Sequence, residues 1–202
     1  MKVLESLGPE AVHVKANETT EAYYFYSPID QPDTIFGLEL YEDLAYAENV
    51  HMTSEPFKAF VAGAGPHSEK PFKLDAYEPA DVGFVTRPGF SKLQDPEVLL
   101  LLVYFTAAPG KRDAALELFK PVAADVWENE PEAFSYYFMK SVEEPDKFAI
   151  FERYKNRAAL EVTHRSGEAF KTAFKAMADQ GLISERIIHE CVETGVGYLD
   201  KE

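Results

Sequence analysis

Three scarcities in the sequence exclude several classes of protein. The 202-residue chain has one cysteine, only 20 Lys and Arg residues against 35 Asp and Glu, and a net charge of −15. A single cysteine, Cys191, allows neither an intramolecular disulfide nor a thiolate metal cluster, and this favours a cytoplasmic protein. An acidic surface repels phosphate backbones and anionic lipids, so we expect no nucleic-acid or membrane partner. No apolar run approaches the roughly 20 residues of a membrane span, and no secretory signal is expected.

Cofactor motifs are also missing. No GxGxxG sequence follows a strand, no GxxxxGK[ST] sequence occurs, and no His, Asp and Glu residues cluster at metal-ligand spacing. We therefore expect no nucleotide, flavin, nicotinamide or metal site. Aromatic residues are plentiful instead, at 13% of the chain. They can line a cavity for a flat molecule or simply fill the core, and composition leaves both interpretations open.

The sequence repeats itself. Residues 23–60 align with residues 136–173 at a constant shift of 113 without a gap, and the match extends in both directions with one-residue shifts. We therefore predict two modules, an incomplete repeat at residues 1–88 and a complete one at residues 96–202. The matched pairs include Glu18 with Glu130, Tyr23 with Tyr136, Glu39 with Glu152, Tyr41 with Tyr154, His51 with His164, Phe57 with Phe170, and Val82-Gly83 with Val196-Gly197.

The second repeat predicts a ferredoxin-like module. Hydrophobic periodicity and turn residues indicate the order βαββαβ, with one sheet face covered by two helices. We therefore predict the α+β class, with two such modules in tandem forming a dimeric-type α+β barrel. The predicted strands lie at residues 98–106, 134–141, 147–154 and 184–192, with 195–199 extending the last, and the predicted helices lie at residues 111–130 and 157–179.

The first repeat lacks its first strand and half of its first helix, because nothing in it corresponds to residues 98–112. Residues 86–96 or a second chain could supply the missing strand. An unfilled position would leave an exposed sheet edge, which pairs readily with another molecule. We therefore expect a homo-oligomer, most simply a dimer.

The second repeat resembles the antibiotic biosynthesis monooxygenase (ABM) family of dimeric α+β barrel proteins. The resemblance covers residues 98–190 well and residues 1–85 in part. It is carried by Pro109-Gly110-Lys111-Arg112, Glu130-Pro131, Ser135-Tyr136, Pro145-Asp146, Phe151-Glu152-Arg153-Tyr154, Arg157-Ala158-Ala159-Leu160, His164 and Phe170-Lys171.

The chain also departs from the family pattern. Gly167 and Ala169 replace a Ser and a second His of the second-helix motif, and Pro56 replaces that second His in the first repeat. Tyr154 and Tyr41 stand where a Trp is common in the family. These changes alter the detailed chemistry that a pocket at this position would offer.

The resemblance implies a function without a cofactor. Many ABM proteins oxidise aromatic phenols or quinols to quinones with O2, one branch degrades haem, and another isomerises a small sugar derivative. The positions of the haem ligand correspond to Val61 and Phe174, so haem binding is not expected. The prediction is a cofactor-independent monooxygenase whose partners are O2 and a small, polyketide-like aromatic phenol or quinol. A non-oxidative cyclase or isomerase and a non-catalytic small-molecule-binding protein are the alternatives.

Three residues are candidates for catalysis. His164 shares a helix face with Leu160 and has the near-neutral pKa of a general base, although a buried histidine can also be purely structural. Tyr137 could hold an oxyanion or be a core tyrosine. Arg153 could serve the same purpose, but we expect it to face solvent or an ion pair. For substrate contacts we name Trp127, although a tryptophan at such a position is more often a lid on the core, together with Asn129, Tyr154, Phe170 and His51.

Overall fold

The computed structural model of the chain describes residues 2–69, 72–90 and 97–201, and these form two compact units. Unit 1 consists of Met1–Leu74 and Glu193–Glu202, and unit 2 consists of Asp75–Val192. Each unit combines an antiparallel sheet with helices, so the predicted α+β class with two modules in tandem is confirmed.

Unit 1 opens with a helix rather than a strand, as the alignment of the repeats predicts. Its sheet has the strand order β2-β1-β7, and only the last residues of β7 belong to this unit. The elements are α1 (Lys2–Asn17), β1 (Ala22–Pro28), β2 (Phe36–Leu40), α2 (Leu44–Tyr46), a π-helical turn (Ala47–His51), α3 (Glu55–Ala64) and a 3₁₀ turn (Gly65–His67).

Unit 2 contains the larger sheet, in the order β7-β4-β6-β5-β3. The run Leu99–Ala107 forms a central strand because its side chains are apolar on both faces. The elements are β3 (Tyr77–Phe84), β4 (Leu99–Ala107), α4 (Arg112–Asn129), β5 (Ala133–Ser141), β6 (Lys147–Tyr154), a π-helical turn (Ala159–His164), α5 (Glu168–Asp179) and β7 (Ile183–Tyr198), which continues into unit 1.

Aromatic rings fill the core between the sheet and the two helices of unit 2. Phe105 and Phe148 stack with ring centroids 4.7 Å apart, and Phe119 from α4 packs on Phe138 at 4.6 Å. Burial of such rings supplies most of the stabilisation of a small module. Part of the aromatic content of the sequence is therefore core filler, one of the two interpretations that composition left open.

Two glycines occupy corresponding places in the two units. Gly83 and Gly197 have φ angles of +86° and +101°, which disfavour any residue with a side chain. A Cβ at Gly83 would lie 1.7 Å from the carbonyl oxygen of Tyr136, and one at Gly197 would lie 2.0 Å from that of Tyr23. Gly83 and Gly197 are repeat partners, as are Tyr136 and Tyr23, so one close approach occurs twice.

The units of the structure divide the chain at different points from the repeats of the sequence. β3 belongs to the first repeat but pairs with β5 in unit 2, and the end of β7 belongs to the second repeat but lies in unit 1. Of the segment that could supply a missing strand, residues 86–90 form none, and residues 91–96 lie outside the described residues. Among the helices of the described ranges, none is long and apolar enough to cross a membrane.

Candidate active site

His164 lies at the end of the π-helical turn that precedes α5. The backbone N–H of Arg165 donates to the carbonyl of Leu160 at 2.9 Å, the i to i−5 spacing that widens a helix by one residue. Gly167 follows as the N-cap residue of α5. This local geometry places the imidazole of His164 inside the unit, where the residue is only 1% exposed.

A carboxylate holds one ring nitrogen of His164. Nδ1 lies 3.0 Å from Oε2 and 3.2 Å from Oε1 of Glu130, which directly follows the C-terminal end of α4. Glu130 is itself buried, so this is a buried ion pair or charge-assisted hydrogen bond. Arg87 secures the segment, because its guanidinium donates to the backbone carbonyls of Val126, Glu130 and Ala133.

Aromatic side chains surround the imidazole. The ring centroids of Tyr136, Tyr154 and Phe170 lie 5.2, 5.5 and 4.8 Å from that of His164. Burial raises the pKa of both tyrosine hydroxyls well above the usual range, so both stay protonated near neutral pH. The site therefore combines one base with neutral hydrogen-bond donors in an environment with little water.

A second carboxyl supports this arrangement. The Tyr154 hydroxyl donates to Oε2 of Glu152 at 3.0 Å. Burial raises the pKa of Glu152, while the neighbouring His164 and the Tyr154 hydrogen bond oppose the increase. Glu130 and Glu152 thus approach the cluster from two different elements, one after α4 and one on β6.

Unit 1 contains the same arrangement. The Nδ1 atom of His51 lies 3.1 Å from Oε2 of Glu18, and the Tyr41 hydroxyl donates to Oε2 of Glu39 at 2.7 Å. The rings around His51 are those of Tyr23, Tyr41 and Phe57, at 5.4, 5.2 and 5.0 Å. The two glutamates of each cluster are functional candidates that sequence reasoning missed, although their recurrence in both repeats was a signal that could have identified them.

The other two predicted catalytic residues lie on the opposite face of the sheet. Tyr136 and Tyr154 point toward His164, and side chains alternate along a strand, so Tyr137 and Arg153 point away from it. Arg153 is fully buried and its Nη1 donates to the carbonyl of Phe90 at 2.9 Å. The expectation that Arg153 faces solvent is therefore wrong, because a distant backbone carbonyl gives the guanidinium a partner inside the protein.

The predicted substrate-binding residues divide into three places. Tyr154 and Phe170 contact His164, as described above, and His51 forms the cluster of unit 1. Trp127 is 46% exposed and packs on Phe84 at 4.8 Å, with the Arg87 guanidinium over its ring at 4.6 Å. Asn129 is exposed and donates to Asp125 at 2.7 Å. These last two side chains find their partners outside the His164 cluster.

Each unit has a groove in its helical layer. The groove of unit 2 has a volume of about 270 Å³ between α4 and α5, and the groove of unit 1 has about 300 Å³ between α1 and α3. His164 and His51 line neither, whereas Glu10 lines the groove of unit 1. Within the described ranges, no group of three or more His, Cys, Asp and Glu side chains is arranged to hold a metal ion.

Comparison with known proteins finds a family that part of the second repeat resembles. Residues 99–176 match the family model of the antibiotic biosynthesis monooxygenases. No curated protein matches the chain significantly.

Two solved structures share the fold of almost the whole chain. A protein from Lactobacillus acidophilus NCFM, named provisionally as a monooxygenase, is 15% identical with a TM-score of 0.77, covering 98% of this chain and 91% of its own. A protein from Fusobacterium nucleatum with the same provisional name is 18% identical with a TM-score of 0.74, covering 99% and 89%. Residues 99–176 of the chain are therefore similar to the antibiotic biosynthesis monooxygenase family, and this similarity supports a monooxygenase-like function in general terms.

Proposed function

We propose that unit 2 is a cofactor-independent monooxygenase that oxidises an aromatic phenol or quinol to a quinone. The observation that supports this most strongly is the buried pair of Glu130 and His164, joined at 3.0 Å and enclosed by aromatic rings. A carboxylate on Nδ1 fixes the tautomer and stabilises the imidazolium, which leaves Nε2 to exchange a proton with a substrate.

The reaction needs no external reductant. The substrate phenol transfers its O–H proton to Nε2 of His164, and the resulting electron-rich ring reduces O2 and forms a C–O bond to give a hydroperoxide. The ring C–H bond and the O–O bond then break, which gives a quinone carbonyl and one water. One phenol and one O2 thus yield one quinone and one water. The contribution of His164 as the base is expected to be ~10²–10⁴-fold, the range typical of proton transfer by a positioned side chain.

The aromatic neighbours of His164 would hold the substrate ring. The hydroxyls of Tyr136 and Tyr154 stay protonated and can donate to a phenolate or a peroxide oxygen. Because His164 is 1% exposed, a substrate must displace a neighbouring side chain on entry, and Phe170 at the start of α5 is the ring nearest to the imidazole. Tyr137 and Arg153 take no part in this proposal. The cytoplasmic location and the dimer remain predictions.

A non-catalytic small-molecule-binding protein is the second candidate. The recurrence of the same cluster in unit 1 favours it over an enzyme, because a catalytic site need not be duplicated whereas a structural motif would recur. A cyclase or isomerase that uses His164 as its base is the remaining alternative, and it differs from the monooxygenase in consuming no O2.

Oxygen uptake with naphthol- and anthrone-like substrates tests the proposal. We expect one O2 consumed for each quinone formed, and we expect His164→Gln to lower kcat/KM by ~10²–10⁴-fold. His67→Gln is the matched control, because His67 is exposed on a 3₁₀ turn of unit 1 and its variant should retain full activity. A folded His164→Gln protein with unchanged kcat/KM would remove His164 from the mechanism. Binding without O2 uptake would indicate the binding protein, and product without O2 uptake the isomerase.

A further inference from the structure

The Arg87 side chain, shortly after β3, closes the C-terminal end of α4. The last carbonyls of a helix have no partner within it, and they carry a partial negative charge. The guanidinium donates to backbone carbonyls at this end, those of Val126 at 2.7 Å, Trp127 at 2.9 Å, Glu130 at 3.2 Å and Ala133 at 2.7 Å. One of these carbonyls belongs to Glu130, the residue whose carboxylate holds His164.

Two aromatic rings help to hold the guanidinium of Arg87 in this position. Its central carbon lies 4.6 Å from the ring centroid of Trp127 and 4.9 Å from that of Phe84, and the two rings contact each other at 4.8 Å. A cation close to an aromatic ring is attracted by the quadrupole of the ring. The rings and the carbonyls together therefore restrain the guanidinium, and this gives Trp127 a role outside the substrate site.

Unit 1 contains the corresponding contact. The repeat alignment that matches the paired glycines also matches Arg87 with Lys201. The Lys201 ammonium donates to the backbone carbonyl of Glu18, which is the repeat partner of Glu130. In each unit, a cation thus reaches the backbone carbonyl of the glutamate that holds the histidine. Its recurrence at matched positions indicates that this contact belongs to the histidine–glutamate pair.

The position of the Glu130 backbone determines where its carboxylate can lie. Glu130 follows the last residue of α4, and its carboxylate oxygen lies 3.0 Å from Nδ1 of His164. We infer that Arg87 is a positioning residue, which holds the Glu130 backbone so that the carboxylate stays on Nδ1 and leaves Nε2 to exchange a proton. The effect on turnover rests on the proposed function, whereas the effect on the hydrogen bond between Glu130 and His164 does not.

The origin of Arg87 links the two repeats. Arg87 belongs to the first repeat, whereas Glu130 and His164 belong to the second. Lys201 of the second repeat serves the first repeat in the same way, because it reaches Glu18 in unit 1. Each repeat therefore contributes the cation that holds the other repeat's glutamate.

A purely structural cap is the alternative, because a cation at the C-terminal end of a helix also stabilises the helix. Arg112 provides the matched control. It lies at the opposite end of α4, it is also partly buried, and its Nη1 donates to the backbone carbonyl of Ser141 at 2.9 Å. Arg112→Met removes an arginine–carbonyl hydrogen bond from the same unit without touching Glu130.

Proton NMR on the full chain at pH 7 tests the inference without a substrate. The Nδ1–H protons of His164 and His51, each held by a buried carboxylate, should give downfield signals that exchange slowly with water, and His164→Gln identifies the signal of His164. In Arg87→Met this proton should exchange at least about tenfold faster, since a hydrogen bond to a charged group contributes such a factor. The His51 signal should stay unchanged, and Lys201→Met should have the converse effect.

Kinetics in the oxygen-uptake assay measures the consequence for turnover. Arg87→Met should lower kcat by up to about 10²-fold, the effect of a misplacement of about 1 Å. KM should stay unchanged, since the hydrogen bonds of Arg87 are to backbone carbonyls and not to the imidazole. Arg87→Lys should retain more activity than Arg87→Met, because Lys201 makes this contact in unit 1. Arg112→Met should leave proton exchange and kcat as in the wild type.

The inference is overturned if the wild type lacks the His164 signal or if folded Arg87→Met exchanges this proton as slowly as the wild type. It is equally overturned if Arg112→Met accelerates the exchange as much as Arg87→Met. If the NMR results are as expected but the wild type consumes no O2, the proposed function fails and the positioning role of Arg87 stands.

Discussion

The two units contain the same buried polar cluster, but they differ in a residue that contacts it. Each has a histidine held by a glutamate through Nδ1, at 3.1 Å in unit 1 and 3.0 Å in unit 2, and each has a tyrosine that donates to a second glutamate. The units differ at one contact of the imidazole. Nε2 of His51 faces the Glu10 carboxyl, while α4 carries Val122 at the corresponding position.

This difference separates the features that both units share from the one carboxyl that only unit 1 has. Three features are common to both units. The histidine–glutamate pair joins the end of one helix to the turn before the next, the tyrosine–glutamate pair lies along one strand, and the glycine lies beside a tyrosine carbonyl of a neighbouring strand. The third carboxyl of unit 1, that of Glu10, adds a desolvation cost that the Tyr23 hydroxyl offsets in part.

The largest effect that we expect is the loss of stability on replacing the paired glycines. Gly83→Ala and Gly197→Ala should each lower the free energy of unfolding by roughly 4 kcal/mol or more, because each Cβ would collide with a backbone carbonyl at a positive φ. Gly110→Ala, at φ +70° but with open space around it, should cost only about 1 kcal/mol. Chemical denaturation followed by circular dichroism measures all three.

Equal losses in the two variants would confirm that the close approach matters equally in both units. The fluorescence of Trp127, the single tryptophan, reports on unit 2 and separates its unfolding from that of unit 1. If either variant lost less unfolding free energy than Gly110→Ala, the two close approaches would not be equivalent.

The sequence predicts the elements better than the contacts between them. Residues 147–154 are predicted and observed as a strand, because alternating strand formers follow a clear hairpin turn. The pairing of His164 with Glu130 spans 34 residues, and that of Arg153 with the carbonyl of Phe90 spans 63. Local periodicity carries no information on such contacts, so the histidine was identified as a candidate but its carboxylate was not.

The next largest effect is the pH dependence of stability. It arises from Glu10, a buried carboxyl that unit 1 has and unit 2 lacks. Its folded pKa of about 8 exceeds the ordinary glutamate value of 4.5, so the folded state binds more protons than the unfolded state between these values. The contribution of Glu10 to stability should therefore be greatest below pH 4.5, and it should fall as the pH rises toward 8. Glu39, whose pKa burial also raises, acts in the same direction.

Glu10→Gln should remove most of this dependence and make the protein more stable than the wild type at pH 8, by on the order of 3 kcal/mol. Urea unfolding at pH 5, 7 and 8 measures the slope. Glu168→Gln serves as the control, since the carboxyl of Glu168, at the start of α5, is exposed and its loss should leave the slope as it is. A wild-type slope that survives in Glu10→Gln would show that other carboxyls cause it.

The smallest effect that we expect is a difference in unfolding free energy between variants of the two tyrosine–glutamate pairs. Tyr154 is fully buried and its partner Glu152 is 9% exposed, whereas Tyr41 is half-buried, so water can replace its hydroxyl more easily. Tyr154→Phe should therefore cost about 2 kcal/mol of unfolding free energy and Tyr41→Phe about 1 kcal/mol. Because each hydroxyl lowers the pKa of its glutamate, carboxyl titration by NMR should show a higher pKa for Glu152 in Tyr154→Phe and for Glu39 in Tyr41→Phe. A larger stability loss in Tyr41→Phe would mean that the hydrogen bond of unit 1, rather than that of unit 2, is the better protected from water.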